Sequence, residues 1–159
     1  MLKQLEHPQW VRRLNLFGPS VGDPRHVVSL DADELVALAR KTTELDDFGD
    51  AGWEPGYRAL MTALDSEAQL HLLGRVLTRA EVLRVLQTKL RLQRAWSERP
   101  AILREPVAAP LFVLGPPRSG TTILLELLAL DPSLRAPLAW EAAHPLPLLA
   151  DPARDLAHR

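Results

Sequence analysis

Soon after residue 30 the chain changes from an irregular mixture of residues to a periodic pattern of apolar and polar positions. Leu35, Leu38 and Ala39 fall on one face of a helix, because residues three and four apart are neighbours on a helical surface. Asp31 or Asp33 can cap the N-terminus of this helix with a side-chain oxygen. The pattern therefore predicts a first helix that begins near Asp31 and ends in the acidic stretch after Lys41.

Two more helices are predicted between residues 57 and 96. The first covers Tyr57 to Leu64 and follows a turn-rich connection in which Pro55 suits a helix start. The second extends to about Trp96, and we expect a break near Gly74 because glycine weakens a helix. Its predicted apolar stripe consists of Val76, Ala80, Leu83 and Leu90.

The pattern changes again in the last third of the chain. Leu111 to Leu114 form a continuous apolar run before Gly115, which is typical of a strand buried on both faces of a parallel sheet. Helical spacing returns from Thr121 to Leu130, and Asp131-Pro132 then stops the helix. The predicted order is strand, glycine loop and helix, which is the setting of a phosphate-binding loop.

These elements predict an α/β fold in which a mainly helical N-terminal region precedes the first strand of a P-loop-like sheet. We divide the chain into an irregular arm over residues 1–30, a helical region with a proline-rich linker over residues 31–109, and the start of the P-loop-like domain over residues 110–159.

Composition narrows the class of protein. The chain has 159 residues, of which 47% are hydrophobic and 25% charged, as in ordinary globular proteins. Cysteine is absent, which excludes disulfides, thiolate nucleophiles and cysteine-bound zinc and favours the cytoplasm. No apolar run has the length of a signal peptide core or a membrane span, so we expect neither export nor membrane insertion.

Charge is distributed unevenly although the net charge is only -1. Residues 31–55 contain eight acidic and two basic side chains, whereas residues 75–104 contain eight basic and two acidic ones. We favour the interpretation that the two surfaces are solvated or pair with each other. A nucleic-acid surface is the weaker alternative, because no aromatic stacking pattern accompanies the bases. A basic wall beside an anionic cofactor is a third interpretation.

The loop GPPRSGTT, residues 115–122, resembles the phosphate-loop template G-x-x-x-x-G-K-[ST], but Thr121 replaces the lysine. That lysine stabilises the transferred phosphoryl group in triphosphatases, so its absence argues against triphosphate hydrolysis. The remaining features form an anion site: backbone N–H groups, a helix N-terminus, and the hydroxyls of Ser119, Thr121 and Thr122. Arg118 supplies a full positive charge and a planar fork of donors.

Pro117 to Thr122 match the motif P-[RK]-S-G-T-T, and through it the chain resembles the sulfotransferase family, in particular bacterial members with a helical N-terminal region and the tyrosylprotein sulfotransferases. The segments LDDFGD, residues 45–50, and PLAWE, residues 137–141, are also similar to the bacterial group.

The resemblance implies 3'-phosphoadenosine 5'-phosphosulfate (PAPS) as sulfuryl donor. It also implies a hydroxyl on a small molecule, glycan or lipid as acceptor, and no metal. The donor-binding residues implied by the motif are Pro117, Arg118, Ser119, Gly120, Thr121 and Thr122, and Arg118 has a catalytic role as well.

The resemblance also implies a catalytic base downstream of the loop helix, and Glu141 occupies a comparable position. An unperturbed glutamate is ionised at neutral pH and can accept the proton of an acceptor hydroxyl within hydrogen-bond reach. The alternative is an exposed glutamate that begins a helix, and His144 is a weaker candidate for the base. Trp53, Tyr57, Trp96 and Trp140 could line an acceptor pocket, but aromatic core is the favoured prediction for each.

Only the 37 residues 123–159 follow Thr122, whereas one βαβ unit takes roughly 30 residues or more. We therefore expect the N-terminal part of a sulfotransferase, with little activity alone and with a strand edge that favours oligomerisation. Two alternatives stay open: an inactive anion-binding or helical interaction module, and another P-loop enzyme such as a nucleotide kinase.

Overall fold

The computed structural model describes residues 8–116 and 118–146, and all regular secondary structure in these ranges is helical. The α-helices are α1 (Gln9–Phe17), α2 (Pro24–Val27), α3 (Ala32–Thr43), α4 (Glu54–Ser66), α5 (Leu72–Glu98), α6 (Thr121–Leu128) and α7 (Ala139–Ala143). Short 3-10 helices cover Gly18–Val21, Ala51–Trp53 and Pro100–Arg104. None of the described helices is long and apolar enough to cross a membrane.

The chain forms two compact units, Met1–Ser97 and Glu98–Arg159. The first unit contains a hydrophobic core made by residues of α3, α4 and α5 and of the segments before and after α3. Its buried members are Leu30, Leu35, Ala39, Phe48, Met61, Leu86 and Leu90. The three-part division of the chain expected from the sequence stays a prediction.

Helix α3 confirms the first predicted helix. The Asp31 carboxylate accepts a hydrogen bond of 2.7 Å from the backbone N–H of Glu34, which is the expected N-cap. Leu35 and Ala39 are buried on the face that the periodicity selects. The helix ends at Thr43, and Glu44, which caps its C-terminus, has a left-handed φ of 57°. Local signals alone specify both the start and the buried face of this helix.

Helix α5 differs from its prediction in two ways. It is continuous through Gly74, which lies in the first turn, where a glycine interrupts little of the helix. Its buried residues are Arg75, Leu86 and Leu90, whereas Val76 and Ala80 of the predicted stripe are exposed. The prediction was wrong there because the helix places Arg75, rather than its neighbour Val76, against the core.

Arg75 is 2% exposed, and its guanidinium is satisfied by polar partners. Its Nε donates to the carbonyl oxygen of Val28 at 2.7 Å, and another nitrogen pairs with the Asp65 carboxylate. A buried charge is tolerated only when it is paired and hydrogen-bonded in this way. The interaction joins the start of α5 to the end of α4 and to the segment before α3.

The acidic and basic segments meet within the first unit. The Arg79 guanidinium contacts the Glu34 carboxylate at 2.6 Å and the carbonyl oxygen of Ser29 at 2.5 Å. Hydrogen bonds from Ser29 and Arg79 hold the pKa of Glu34 below its ordinary value. This ion pair joins one side chain of the acidic segment to one of the basic segment, as the pairing interpretation predicts for these two residues.

An aromatic cluster closes one side of the core. Trp53 packs between Phe48 and Tyr57, with ring centroids 4.9 Å and 5.4 Å away. The Tyr57 hydroxyl donates to the carbonyl oxygen of Ala32 at 2.9 Å. The guanidinium of Arg40 lies over the Phe48 ring, 5.5 Å from its centroid. Core packing, rather than an acceptor pocket, therefore explains Trp53 and Tyr57.

The expected irregular arm at the N-terminus contains helices in its described part. Helix α1 and a 3-10 turn cover Gln9 to Val21, and α2 follows with Asp23 as its cap. Few local signals mark α1, since Pro8 at its N-cap has no side-chain hydrogen bond to offer. Its helical geometry was therefore missed from the sequence.

The predicted α/β fold is wrong for the described part of the chain, which contains no strand. Leu111 to Gly115 has no regular secondary structure, and Leu114 is 88% exposed rather than buried on both faces. A strand exists only when its N–H and C=O groups pair with another strand. The described residues provide no second strand, so the apolar run stays unpaired whatever its intrinsic preference.

Candidate functional site

The predicted phosphate loop forms a tight turn between Gly115 and α6. The backbone N–H of Ser119 donates to the carbonyl oxygen of Pro116 at 3.2 Å. Arg118 and Gly120 have left-handed φ angles of 64° and 89°. Ser119 between them does not, so the handedness of the backbone alternates along the loop. Left-handed residues are a component of the backbone nests that bind anions, in which neighbouring N–H groups face one side.

Gly115 is required by close packing inside the loop. A Cβ atom at this position would lie 2.5 Å from Ser119 Oγ and 2.9 Å from Thr121 Cγ2. Both distances are shorter than van der Waals contact, so a larger residue would displace these two side chains. The first glycine of the motif therefore has a structural reason, which is to leave room for the side chains of Ser119 and Thr121.

Helix α6 begins at Thr121, immediately after Gly120, which has no side chain to cap the helix. The first backbone N–H groups of a helix have no partner within it, and here they belong to Thr121, Thr122 and Ile123. The intrahelical ladder begins with Leu124, whose N–H donates to the Gly120 carbonyl oxygen at 3.0 Å. The positive end of the helix dipole thus adjoins the loop.

Arg118 is exposed at the tip of the loop. Within residues 8–116 and 118–146 its guanidinium forms no ion pair. A guanidinium without a protein carboxylate partner is free to bind an anion from solution. Pro117, which was also predicted to belong to the site, lies outside the described residues.

Glu141 is held by two hydrogen bonds near the start of α7. One carboxylate oxygen accepts from the backbone N–H of Leu138 and the other from the Arg135 guanidinium, both at 2.8 Å. Its side chain is 14% exposed, so it is not the freely exposed glutamate of the alternative interpretation. The backbone N–H of Leu138 and the guanidinium of Arg135 thus fix the orientation of the carboxylate.

Arg135 was not among the residues singled out from the sequence. No motif or helical spacing connects it with Glu141, because Arg135 lies in the non-helical segment between the end of α6 at Leu128 and the start of α7 at Ala139. The proximity depends on the path of that segment. Only the three-dimensional structure brings the two side chains together.

A turn stabilised by Asp131 follows α6. The Asp131 carboxylate accepts hydrogen bonds from the backbone N–H of Ser133 at 2.8 Å and from its hydroxyl at 2.7 Å. These bonds hold the pKa of the Asp131 carboxyl below its ordinary value. The helix ends at Leu128, two residues before the predicted end at Leu130.

The other candidate site residues, His144, Trp140 and Trp96, are exposed or partly exposed. His144 follows α7 and is exposed, and its backbone N–H donates to the Trp140 carbonyl oxygen at 2.8 Å. Trp140 is partly exposed and Trp96 is exposed at the end of α5. Among the described residues, no three His, Asp or Glu side chains come together as a metal site.

A cavity of about 400 Å³ lies within the second unit, beside the C-terminal half of α6. It is mainly apolar, with Leu111, Val113, Leu125 and Leu128 in its wall, and Ser133 and Arg135 add polar groups. The loop residues 115–122 are not part of its lining. The cavity therefore adjoins the opposite end of the helix from the anion-binding geometry.

The family comparison supports the motif analysis. Residues 110–159 match the model of the sulfotransferase family, which supports a sulfotransferase-type function in general terms. Neither the curated proteins nor the solved structures gave a match to the chain. The match includes the loop, α6 and Glu141, so the resemblance inferred from GPPRSGTT is confirmed for this segment. Residues 110–159 are thus a partial match to the sulfotransferase family, and the recognisable family segment begins just before the loop.

Proposed function

We propose that the loop at residues 115–122 binds the 5'-phosphosulfate of PAPS and that the protein serves sulfuryl transfer to an acceptor hydroxyl. The observation that supports this best is the alternating backbone of Arg118, Ser119 and Gly120 directly before the N-terminus of α6, inside the segment that matches the sulfotransferase family. A loop of this kind at a helix N-terminus offers backbone N–H groups to a ligand with several anionic oxygens.

In this proposal, different groups of the loop contact the anion. Backbone N–H groups of Gly120, Thr121 and Thr122 donate to the oxygens, and the threonine hydroxyls add further donors. The Arg118 guanidinium neutralises charge with a planar pair of N–H groups. PAPS supplies the activated sulfuryl group. The contribution of Arg118 increases as negative charge develops on the bridging oxygen, so it assists the reaction as well as binding.

Glu141 is the proposed base for the acceptor hydroxyl. One carboxylate oxygen accepts from the backbone N–H of Leu138 and the other from the Arg135 guanidinium, so the carboxylate is held in a fixed orientation. Arg135 stabilises the ionised form that a base requires. The acceptor class, a hydroxyl on a small molecule, glycan or lipid, belongs to this proposal, as does a cytoplasmic location.

A nucleoside triphosphatase is the less suitable assignment for the same loop. Thr121 stands where such enzymes have the lysine that reaches the terminal phosphates. Without that lysine the loop can bind a phosphosulfate but lacks a main stabiliser of phosphoryl transfer. ATP should therefore bind more weakly than 3'-phosphoadenosine 5'-phosphate, the product that PAPS leaves after transfer.

The test is calorimetric titration of 3'-phosphoadenosine 5'-phosphate into the wild-type chain, Arg118→Ala and the control Arg104→Ala. Arg104 is an exposed arginine of the same unit, placed before the loop. We expect Arg118→Ala to weaken binding by about tenfold or more, as for loss of a charge-assisted bidentate contact, and Arg104→Ala to leave it unchanged. Equal weakening by both variants, tighter binding of ATP, or no binding by wild type would each contradict the proposal.

A further inference from the structure

The cavity of the second unit combines an aliphatic wall with a single charge. Its volume of about 400 Å³ is that of a pocket for a small organic molecule. The apolar side chains of the wall are leucine, valine, alanine and proline, and no aromatic ring belongs to the described lining. Among these described lining residues Arg135 is the one charged side chain, and no acidic residue accompanies it. The wall therefore matches an aliphatic molecule with a negative charge.

Arg135 keeps hydrogen-bond donors for a ligand although it also contacts Glu141. One terminal nitrogen of its guanidinium donates to the Glu141 carboxylate at 2.8 Å. A guanidinium has donors on all three nitrogens. Within residues 8–116 and 118–146, the Nε and the other terminal nitrogen of Arg135 donate to no group. The side chain is 75% exposed, so these donors are accessible to a molecule that enters the cavity.

Backbone N–H groups add to this set of donors. Arg135 and Ala136 lie in the non-helical segment between α6 and α7, and their N–H groups donate to no other group of the described chain. The N–H groups of Ser133 and Leu134, in contrast, already donate to Asp131. Side-chain and backbone N–H groups at residues 135 and 136 are thus available to an acceptor, and charge-assisted bonds favour an anionic one.

We propose that this cavity binds an aliphatic carboxylate of the fatty-acid class, with its alkyl chain against Leu111, Val113 and Leu125 and its carboxylate on Arg135. Removal of the alkyl chain from water supplies affinity, and the bond to the guanidinium selects the anion. The loop at residues 115–122 does not line the cavity, so the proposal is independent of sulfuryl transfer.

The experiment is calorimetric titration of the full chain with decanoate and with decanol, each below the concentration at which it aggregates. We expect decanoate to bind at one site and decanol to bind about tenfold more weakly, because decanol lacks the charge-assisted contact. Arg135→Gln should weaken decanoate binding by about tenfold and leave decanol binding unchanged. Ala129→Trp should abolish binding of both, because Ala129 is an exposed residue of the wall and tryptophan would fill the cavity.

Arg104→Gln is the matched control, because Arg104 is an exposed arginine of the same unit outside the cavity wall. It should bind decanoate as wild type does, and circular dichroism of every variant should match wild type. If Ala129→Trp alters the spectrum, Arg135→Gln decides alone, since it changes an exposed side chain.

Failure of wild type to bind decanoate, equal binding of decanoate and decanol, or no effect of Arg135→Gln would overturn the proposal. Weaker decanoate binding in Arg118→Ala, with Arg135→Gln unchanged, would assign the carboxylate to the loop at residues 115–122 and would also overturn it.

Discussion

The Arg75 guanidinium donates a hydrogen bond of 2.7 Å to the carbonyl oxygen of Val28, a residue 47 positions away in the sequence. The same side chain pairs with Asp65, and it is almost fully buried. One arginine thus connects α5, α4 and the segment before α3.

Replacing this arginine should destabilise the first unit more than replacing any exposed arginine on the same helix. We expect Arg75→Ala to lower the free energy of unfolding by about 2 to 4 kcal/mol, because it leaves a cavity and an unpaired carbonyl oxygen. Urea denaturation measures the change. The control is Arg91→Ala, which replaces an exposed arginine on α5 and should have no measurable effect. Equal losses of unfolding free energy in both variants would contradict a special stabilising role of the buried Arg75.

Tyr57 should titrate above the ordinary range of tyrosine. Burial, followed by the nearby Asp31 charge, raises the pKa of Tyr57 from 10.0 to about 12. The folded state then holds the phenolic proton more tightly than the unfolded state, so this contribution to stability is complete below pH 10 and is lost between about pH 10 and 12. Tyr57 is the only tyrosine in the sequence, so the ultraviolet absorbance of tyrosinate reports it alone.

The titration of urea-denatured protein provides the reference and should show an ordinary tyrosine pKa. Tyr57→Phe should abolish the absorbance change and remove the loss of stability over that pH window. It should also lower stability at neutral pH by about 1 kcal/mol, the usual contribution of one hydrogen bond, here to the Ala32 carbonyl oxygen. If the titration curves of the native and denatured protein coincide, folding does not raise the pKa of Tyr57, and the prediction is wrong.

Gly115→Ala should impair anion binding without unfolding the first unit. The added Cβ would lie 2.5 Å from Ser119 Oγ and 2.9 Å from Thr121 Cγ2, so these two side chains, whose hydroxyls are proposed donors to the anion, must be displaced. We expect binding of 3'-phosphoadenosine 5'-phosphate to weaken by about tenfold or more. Gly56→Ala is the control, since a Cβ at Gly56 in α4 meets nothing within 4 Å. It should bind normally and unfold at a slightly higher temperature, because alanine favours the helix.

Backbone amide exchange should differ between the two units. None of the described residues from 98 to 146 is buried, and Leu111, Phe112 and Leu114 of the apolar run are all strongly exposed. A segment with few buried apolar contacts opens at little cost in free energy. Hydrogen exchange measured by mass spectrometry should therefore show fast exchange over residues 111–116 and slow exchange around Leu86 and Leu90. Comparable protection in both regions would contradict this expectation.

The sequence by itself determined the features that depend on neighbouring residues or on residue identity. Helix α3 was predicted from the Asp31 cap and the spacing of Leu35 and Ala39, since both signals act within a few residues. GPPRSGTT led to the sulfotransferase family because the order of its residues is unusual, and the family match over residues 110–159 agrees. The roles of Arg118 and Glu141 stay predictions.

Only the tertiary structure decided which residues interact over long distances in the sequence. The apolar spacing selected Val76 for the buried face of α5, but Arg75 is buried instead, because Val28 and Asp65 supply partners for its charge. Leu111 to Leu114 has the composition of a buried strand, yet strand formation needs hydrogen bonds to another segment. Arg135 lies within hydrogen-bond distance of Glu141 because of the path that the intervening loop takes. Local patterns specify helices because helical hydrogen bonds are local, whereas burial and pairing depend on the whole fold.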